Sequence, residues 1–129
     1  MAAPIAGIAQ IAFTVRDVPR AVVFYRDALG LTPLPIPAPP TMAFFDAGGV
    51  RLMLSTNEGT EPGGGTFVYF RTPAIREAHE TLAARGVAFF EAPHRIATLP
   101  DREVWLAAFR DPDGNPLALR GEVGLASDG

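Results

Sequence analysis

Gln10-Ile-Ala-Phe-Thr-Val-Arg-Asp17 and Phe67-Val-Tyr-Phe-Arg-Thr-Pro-Ala74 are the two stretches of sequence that decide the fold. They lie 57 positions apart, from residue 10 to residue 67, and this shift places Ile11 on Val68. Each stretch has the pattern of a strand and is followed by an amphipathic helical pattern and then by further strands. A unit of this length cannot bury its own apolar face, so the repeat predicts two modules that combine.

The predicted fold class is α+β. Two paired βαβββ modules are expected to form one curved mixed sheet around a cleft, with the helices on the outer face. The two modules together make a single domain over residues 5–122. Module one spans 5–56 and module two spans 66–122. The polar, glycine-rich segment 57–65 is predicted to link them, and 123–129 to form a flexible tail.

The elements of module one follow from periodicity and turn residues. Apolar residues at helical spacing come after Asp17, which can cap a helix, and Gly30 stops the pattern. The prolines within 34–40 exclude a central strand and predict an edge or an exposed loop. Strands are predicted over Ile5–Val15, Met42–Ala47 and Val50–Ser55.

Module two shows the same order of patterns. Thr72-Pro73 is interpreted as a cap followed by a proline at the first helical position, and Gly86 ends that helix. The stretch Asp111–Pro116 is a strong turn signal. Strands are predicted over Phe67–Arg71, Val87–Phe90, His94–Ala97, Glu103–Arg110 and Leu117–Arg120.

Composition excludes several classes of function. The 129 residues include no cysteine, which rules out disulfides, zinc–thiolate sites, iron–sulfur clusters and a cysteine nucleophile. A net charge of −3 without a basic stripe argues against nucleic acid as a partner. No apolar run approaches the roughly 20 residues needed to cross a bilayer, and no cationic start indicates a secretory signal. We therefore expect a cytoplasmic protein that binds no membrane.

Two motifs carry a resemblance to a known family. They are Phe24-Tyr-Arg-Asp-Ala-Leu-Gly30 at the end of the first helix and Phe109-Arg-Asp-Pro-Asp-Gly-Asn-Pro-Leu117 before the last strand. With the paired modules, they resemble the vicinal oxygen chelate superfamily, which includes glyoxalase I, extradiol dioxygenases and bleomycin-binding proteins. The resemblance covers Ile5 to Glu122. It implies the paired-module fold, a small-molecule ligand and a homodimer, in which modules are sometimes exchanged between chains.

The resemblance also implies where a metal ion would bind. Metal-dependent members take their ligands from four strand positions, which fall on Gln10, Met53, Phe67 and Ala118. Phenylalanine and alanine have no donor atom, and a thioether suits soft copper better than magnesium, manganese, iron or zinc. Only Gln10 offers an oxygen, so we expect neither a metal nor another cofactor.

Strand alternation predicts which side chains line the cleft. An apolar and aromatic wall with a few polar groups is typical of a small-molecule pocket. The alternative is that Phe67 and Met53 only fill space. The predicted lining residues are Gln10, Thr14, Arg51, Met53, Phe67, Tyr69, Ala118 and Arg120.

Arginines on the same face bear on the charge of the ligand. Arg51, Arg71 and Arg120 share the predicted cleft face, and a guanidinium group binds carboxylates and phosphates in a bidentate manner. They could equally be ordinary charges at strand ends. We expect a ligand that is neutral or anionic.

His94 and Trp105 complete the set of candidate ligand-binding residues. His94 is the one catalytic candidate, because imidazole transfers protons near neutral pH, although a structural hydrogen bond explains it equally. Trp105 either stacks on a planar ligand or packs in a cleft wall or dimer interface.

Two functions remain open at this point. The first is metal-independent binding of a small organic molecule in the cleft. The alternative is a small-molecule enzyme of the superfamily, such as a lyase or isomerase, that uses His94 and arginines or a divalent metal.

Overall fold

The computed structural model describes residues 4–56, 61–63 and 66–124. The chain divides into two compact units, Met1–Pro62 and Gly63–Gly129, which contain module one and module two. Most of the predicted linker and residues 125–129 of the predicted tail lie outside the described residues.

Module one has the order βαβββ. The strands are β1 (Gln10–Thr14), β2 (Thr32–Pro33), β3 (Met42–Ala47) and β4 (Val50–Ser55), and the helix α1 is Val18–Val23. They form a four-stranded sheet in the order β1-β4-β3-β2, in which β1 and β4 are parallel. The hairpin of β3 and β4 has the predicted bounds, and the two-residue β2 lies at the sheet edge before the proline-rich stretch.

The helix of module one begins as predicted and ends differently. Asp17 caps α1, because its carboxylate accepts a hydrogen bond from the Arg20 amide at 3.1 Å. The helix then widens into a π-helical segment, Phe24–Ala28, whose last turn is closed by a bond of 3.0 Å from the Leu29 amide to the Phe24 carbonyl. Gly30 follows with φ of +77°, a conformation that favours glycine. The predicted strand from Ile5 was too long, since β1 pairs with β4 only from Gln10 onward.

Module two repeats the order. Its strands are β5 (Val68–Thr72), β6 (Phe89–Thr98), β7 (Arg102–Arg110) and β8 (Pro116–Gly124), and its helix α2 is Ile75–Ala84. The sheet order is β5-β8-β7-β6, with β5 and β8 parallel. The predicted α+β class and the βαβββ modules are confirmed. The pairing of the described strands gives one four-stranded sheet per module instead of the single sheet that we expected, because each strand finds its hydrogen-bond partners within its own module.

The start of α2 corrects the prediction for Thr72 and Pro73. Thr72 still pairs with Gly121 in the parallel ladder, so the helix cannot begin there. Ala74 occupies the cap position instead, and Thr72 Oγ1 accepts a hydrogen bond of 3.4 Å from the Ala74 amide.

Two further strand predictions need correction. The two short strands predicted around Pro93 are one strand, β6, whose pairing with β7 shifts register at three places. Such irregularities accommodate a proline, which cannot donate to the ladder. At the other end, Val123 and Gly124 belong to β8 and not to a tail, since they pair with Glu103 and Arg102.

In each module the helix covers one face of the sheet. In module one, the ring of fully buried Tyr25 lies 6.0 Å from the rings of both Phe13 and Phe45. In module two, His79 of α2 contacts Phe89, which contacts Phe109. The opposite side of each sheet, defined by the residues that alternate with these, is called the helix-free face below.

A buried polar turn joins β7 to β8. Asp111 Oδ1 accepts hydrogen bonds of 2.9 Å from the Asp113 and Asn115 amides, and Asp111 Oδ2 accepts one of 2.8 Å from the Asn115 side chain. Asn115 Oδ1 in turn accepts from the Gly63 amide at 3.1 Å. This network ties the first residue of the second unit to the turn that the sequence predicted.

Candidate functional site

The helix-free face of module one brings three predicted site residues into contact. Arg51 Nε donates to Gln10 Oε1 at 3.0 Å, and Gln10 Nε2 donates to Met53 Sδ at 3.6 Å. The contacts arise because the parallel register of β1 and β4 places Gln10 beside Arg51. Thr14, also predicted, lies farther along β1 on the same face, beside Ser55, and both are buried.

Phe44 joins this group although the sequence analysis did not select it. It pairs with Met53 across the antiparallel β3–β4 ladder, and the Arg51 guanidinium lies 5.4 Å from the centre of its ring. The alternation of β3 carried the signal for it, because residues paired across a ladder share a face.

The helix-free face of module two presents an aromatic group. Phe67, Tyr69 and Phe90 are 39%, 54% and 46% exposed, which is high for large rings. The Phe67 ring centre lies 5.7 Å from that of Tyr69 and 6.3 Å from that of Phe90. Phe90 and Arg110, whose guanidinium lies 4.6 Å from the Phe90 ring, are additions to the predicted set.

Small buried residues lie beside this aromatic group. Ala118 is fully buried, pairs with Tyr69 of β5 and with Ala108 of β7, and belongs to a small apolar cluster with Leu106 and Ala108. Ala118 therefore contributes apolar surface only and has no polar side-chain group that could contact a ligand.

Arginines follow the aromatic group along the same face. Arg71 pairs with Arg120, so two guanidinium groups stand on neighbouring strands. Arg120 is bonded to Glu122 at 3.1 Å, and Glu122 also contacts Arg102 at 3.2 Å. Arg71 is exposed, and Arg120 is already paired with Glu122. Of the two arginines, Arg71 is therefore the one more available to bind an anionic ligand.

His94 shares the helix-free face because it pairs with Leu106, and its side chain is exposed. Its Nδ1 lies 2.8 Å from the Ala92 carbonyl oxygen. A carbonyl oxygen can only accept, so this contact requires the hydrogen on Nδ1 and leaves Nε2 as the nitrogen that can exchange a proton.

Trp105 does not join these residues. It lies on the helix-covered side of the module-two sheet, where the Arg76 guanidinium of α2 is 4.9 Å from its ring centre. The reason is alternation, since Leu106, its neighbour in β7, faces the other way. The indole Nε1 donates to Glu103 at 2.9 Å, and this hydrogen bond is the main cause that lowers the pKa of Glu103, against a smaller opposing effect of burial.

The chain matches the family model of the Glyoxalase/Bleomycin resistance protein/Dioxygenase superfamily over residues 7–119 and belongs to that superfamily. Protein YraH of Bacillus subtilis (strain 168) is 27% identical over 126 residues, covering 85% of this chain and 94% of YraH.

Solved structures show the same fold. An integron cassette protein from the mobile metagenome of V. cholerae matches with a TM-score of 0.76 and 21% identity, covering 94% of this chain and 98% of its own. Lactoylglutathione lyase from Agrobacterium tumefaciens matches with a TM-score of 0.73 and 21% identity, covering 92% and 95%. A superfamily member from Sphaerobacter thermophilus DSM 20745 reaches 0.70 with 27% identity, covering 91% and 98%.

The residues at the four positions where the resemblance implies metal ligands do not fit a divalent cation. Gln10 Oε1 already accepts a hydrogen bond from a guanidinium cation, and Met53 Sδ accepts one from Gln10 Nε2. Ala118 is buried among apolar side chains, and Phe67 has no donor atom. Across residues 4–56, 61–63 and 66–124, no group of three or more His, Asp or Glu side chains could hold a metal ion. Nor does the described part of the chain contain a helix long and apolar enough to span a membrane.

Proposed function

We propose that this chain binds a small neutral or anionic organic molecule on the helix-free face of its module-two sheet, without a metal ion or other cofactor. The observation that carries the proposal is the exposed aromatic group of module two, Phe67, Tyr69 and Phe90, which shares its face with Arg71. Apolar rings supply affinity and a few polar groups fix orientation in small-molecule sites.

The group formed by Gln10, Arg51 and Met53 supports metal independence. A cation at Gln10 Oε1 would stand close to the Arg51 guanidinium, which is 3.0 Å from that oxygen. Repulsion between the two positive charges opposes metal binding, while an anion is attracted. The group therefore favours an anionic ligand over a metal ion.

Calorimetric titration with a panel of aromatic carboxylates and their amides tests this function. We expect saturable binding by at least one compound, with the same Kd before and after treatment with a chelator. Phe67→Ala should weaken binding about tenfold, as truncation of a central aromatic contact does. Val23→Ala, which removes an exposed apolar side chain from α1, is the matched control. Binding that requires added manganese, nickel, iron or zinc would contradict the proposal.

A second candidate function is an enzyme that uses His94. It is favoured by the contact between Nδ1 and the Ala92 carbonyl, which orients the ring and leaves Nε2 for proton transfer. For such an enzyme, His94→Gln should abolish turnover of a bound compound while its Kd stays the same. Turnover that survives this change would rule out the role of His94. The homodimer and the cytoplasmic location stay predictions, and the molar mass in solution tests the first.

A further inference from the structure

A pocket of module two lies on the helix-covered side of its sheet. It has a volume of about 330 Å³ and is bounded by the first turn of α2 and by residues of β7 and β8. This volume is at the lower end of the range of small-molecule pockets, so it suits a ligand of one or two rings. The lining residues used below are Ile75, Arg76, Glu77, Glu103, Trp105 and Val123.

Gly121 explains how α2 and the sheet meet at this place. A Cβ atom at Gly121 would lie 2.9 Å from Ile75 Cβ, closer than such atoms approach in proteins. Without it, the first turn of α2 packs directly on β8, while the large Trp105 ring stands beside Gly121 on the neighbouring strand. Gly121 has no side chain and pairs with Trp105 of β7, so the indole ring forms an aromatic wall of the pocket.

The charged groups that line the pocket differ in how far their hydrogen-bonding atoms are already used by other residues. Glu103 receives the Trp105 indole N–H at 2.9 Å and an Arg95 guanidinium at 3.3 Å, so its carboxylate is well satisfied. Arg76 stacks on the Trp105 ring, and no described carboxylate lies within ion-pair distance of its guanidinium. Glu77 lies in the first turn of α2, where the helix dipole already stabilises a negative charge. Arg76 is therefore the cation of the pocket that remains open to a ligand carboxylate.

We propose that this pocket is a separate binding site for a small aromatic carboxylate. The ring of the ligand contacts the Trp105 indole and the half-exposed Val123, and its carboxylate is bound by the Arg76 guanidinium. The pocket lies on the opposite side of the module-two sheet from Phe67, Tyr69 and Arg71. This proposal does not depend on the function proposed above.

Heteronuclear NMR of the ¹⁵N-labelled chain tests the site with benzoate as the probe. Trp105 is the single tryptophan, so its indole N–H gives one cross-peak that reports on this pocket. We expect benzoate to shift this peak saturably, and Arg76→Gln to raise Kd about fivefold or more by removing one charged contact. Arg26→Gln, an exposed arginine of module one paired with Asp27, is the charge-matched control and should leave Kd unchanged.

Neutral and cationic probes decide the ligand class. Benzamide and benzylamine should shift the indole peak less than benzoate at equal concentration, because neither supplies a carboxylate to Arg76. The proposal is overturned if benzoate produces no saturable shift up to about 10 mM, or if benzylamine binds as well as benzoate. It is also overturned if Arg76→Gln leaves Kd unchanged while Arg71→Gln raises it, since the ligand would then lie on the helix-free face.

Discussion

The two modules share one topology and use their helix-free faces differently. In module one, parallel pairing of β1 and β4 places Ala12 beside Met53, and in module two the same pairing places Tyr69 beside Ala118. Around Met53 the face carries a hydrogen-bonded group with Gln10 and Arg51. Around Ala118 it carries exposed rings, and a hydrogen bond on this face joins Arg120 to Glu122 farther along β8.

The comparison separates residues that stabilise the fold in both modules from residues whose chemistry differs between the modules. Residues under the helices keep the same character in both modules, as Ile11 and Val68 or Phe13 and Phe70 illustrate. Equivalent positions on the helix-free faces differ in chemistry, since the polar Gln10 of module one corresponds to the apolar Phe67 of module two. A helix-covered face must bury apolar area to stabilise the domain, whereas the helix-free faces carry the exposed rings and charged side chains.

The largest expected effect contrasts the two tyrosines of the chain. Tyr25 is fully buried under the module-one sheet, so Tyr25→Ala should lower the free energy of unfolding by about 3–5 kcal/mol. Tyr69→Ala, at 54% exposure, should change it by less than about 0.5 kcal/mol. Urea unfolding followed by circular dichroism at one fixed protein concentration measures both. Equal losses would mean that the two faces contribute alike to stability.

A smaller effect contrasts the β7–β8 turn of module two with the β3–β4 turn of module one. Asp111→Ala removes the acceptor of three hydrogen bonds and leaves buried donors without it, so the loss should be about 2–3 kcal/mol. In module one, Asp46 accepts one exposed bond of 3.1 Å from the Gly49 amide, and Asp46→Ala should cost about 0.5 kcal/mol. The same unfolding experiment compares them, and a larger loss for Asp46→Ala would be incompatible with this order.

The approach of α2 to β8 gives a third contrast, within one strand. Gly121→Ala introduces a Cβ atom 2.9 Å from Ile75 Cβ and should destabilise the chain by about 1–2 kcal/mol. Gly124→Ala, where no atom lies within 4 Å of the added Cβ, should have an effect within about 0.5 kcal/mol. Thermal unfolding separates the two, and a neutral Gly121→Ala would show that α2 is free to move away from the sheet.

The smallest expected effect is a pH dependence at Glu103. The Trp105 hydrogen bond is the largest influence on the Glu103 pKa and lowers it, and Arg95 lowers it further. A carboxyl group whose pKa is lowered on folding adds stability above its ordinary value, which is 4.5, and this stability is lost as the pH falls through the folded-state value. The stability difference between the wild type and Glu103→Gln should therefore shrink on acidification from about pH 7 to about pH 3. Exposed Glu91→Gln is the control, and a difference independent of pH would falsify this account of Glu103.

The sequence predicted the repeated modules, both helices and the turn at Asp111, because periodicity and turn residues act locally. The point where α2 begins was missed, since it depends on the ladder that keeps Thr72 in β5. For the site, alternation correctly grouped Gln10 with Arg51 and Met53 in module one, and Tyr69 with Ala118 in module two. Trp105 was grouped by its residue type and not by its place in the alternation of β7, and the structure puts it on the other side of the sheet.

Metal analysis of the purified chain tests the central claim most directly. The claim is that the residues at the superfamily's ligand positions, Gln10, Met53, Phe67 and Ala118, bind no divalent ion. After incubation with manganese, nickel, iron or zinc and removal of the excess, we expect far less than one equivalent of metal per chain, with no dependence on Gln10→Ala. One tightly held equivalent that disappears in Gln10→Ala would contradict the account.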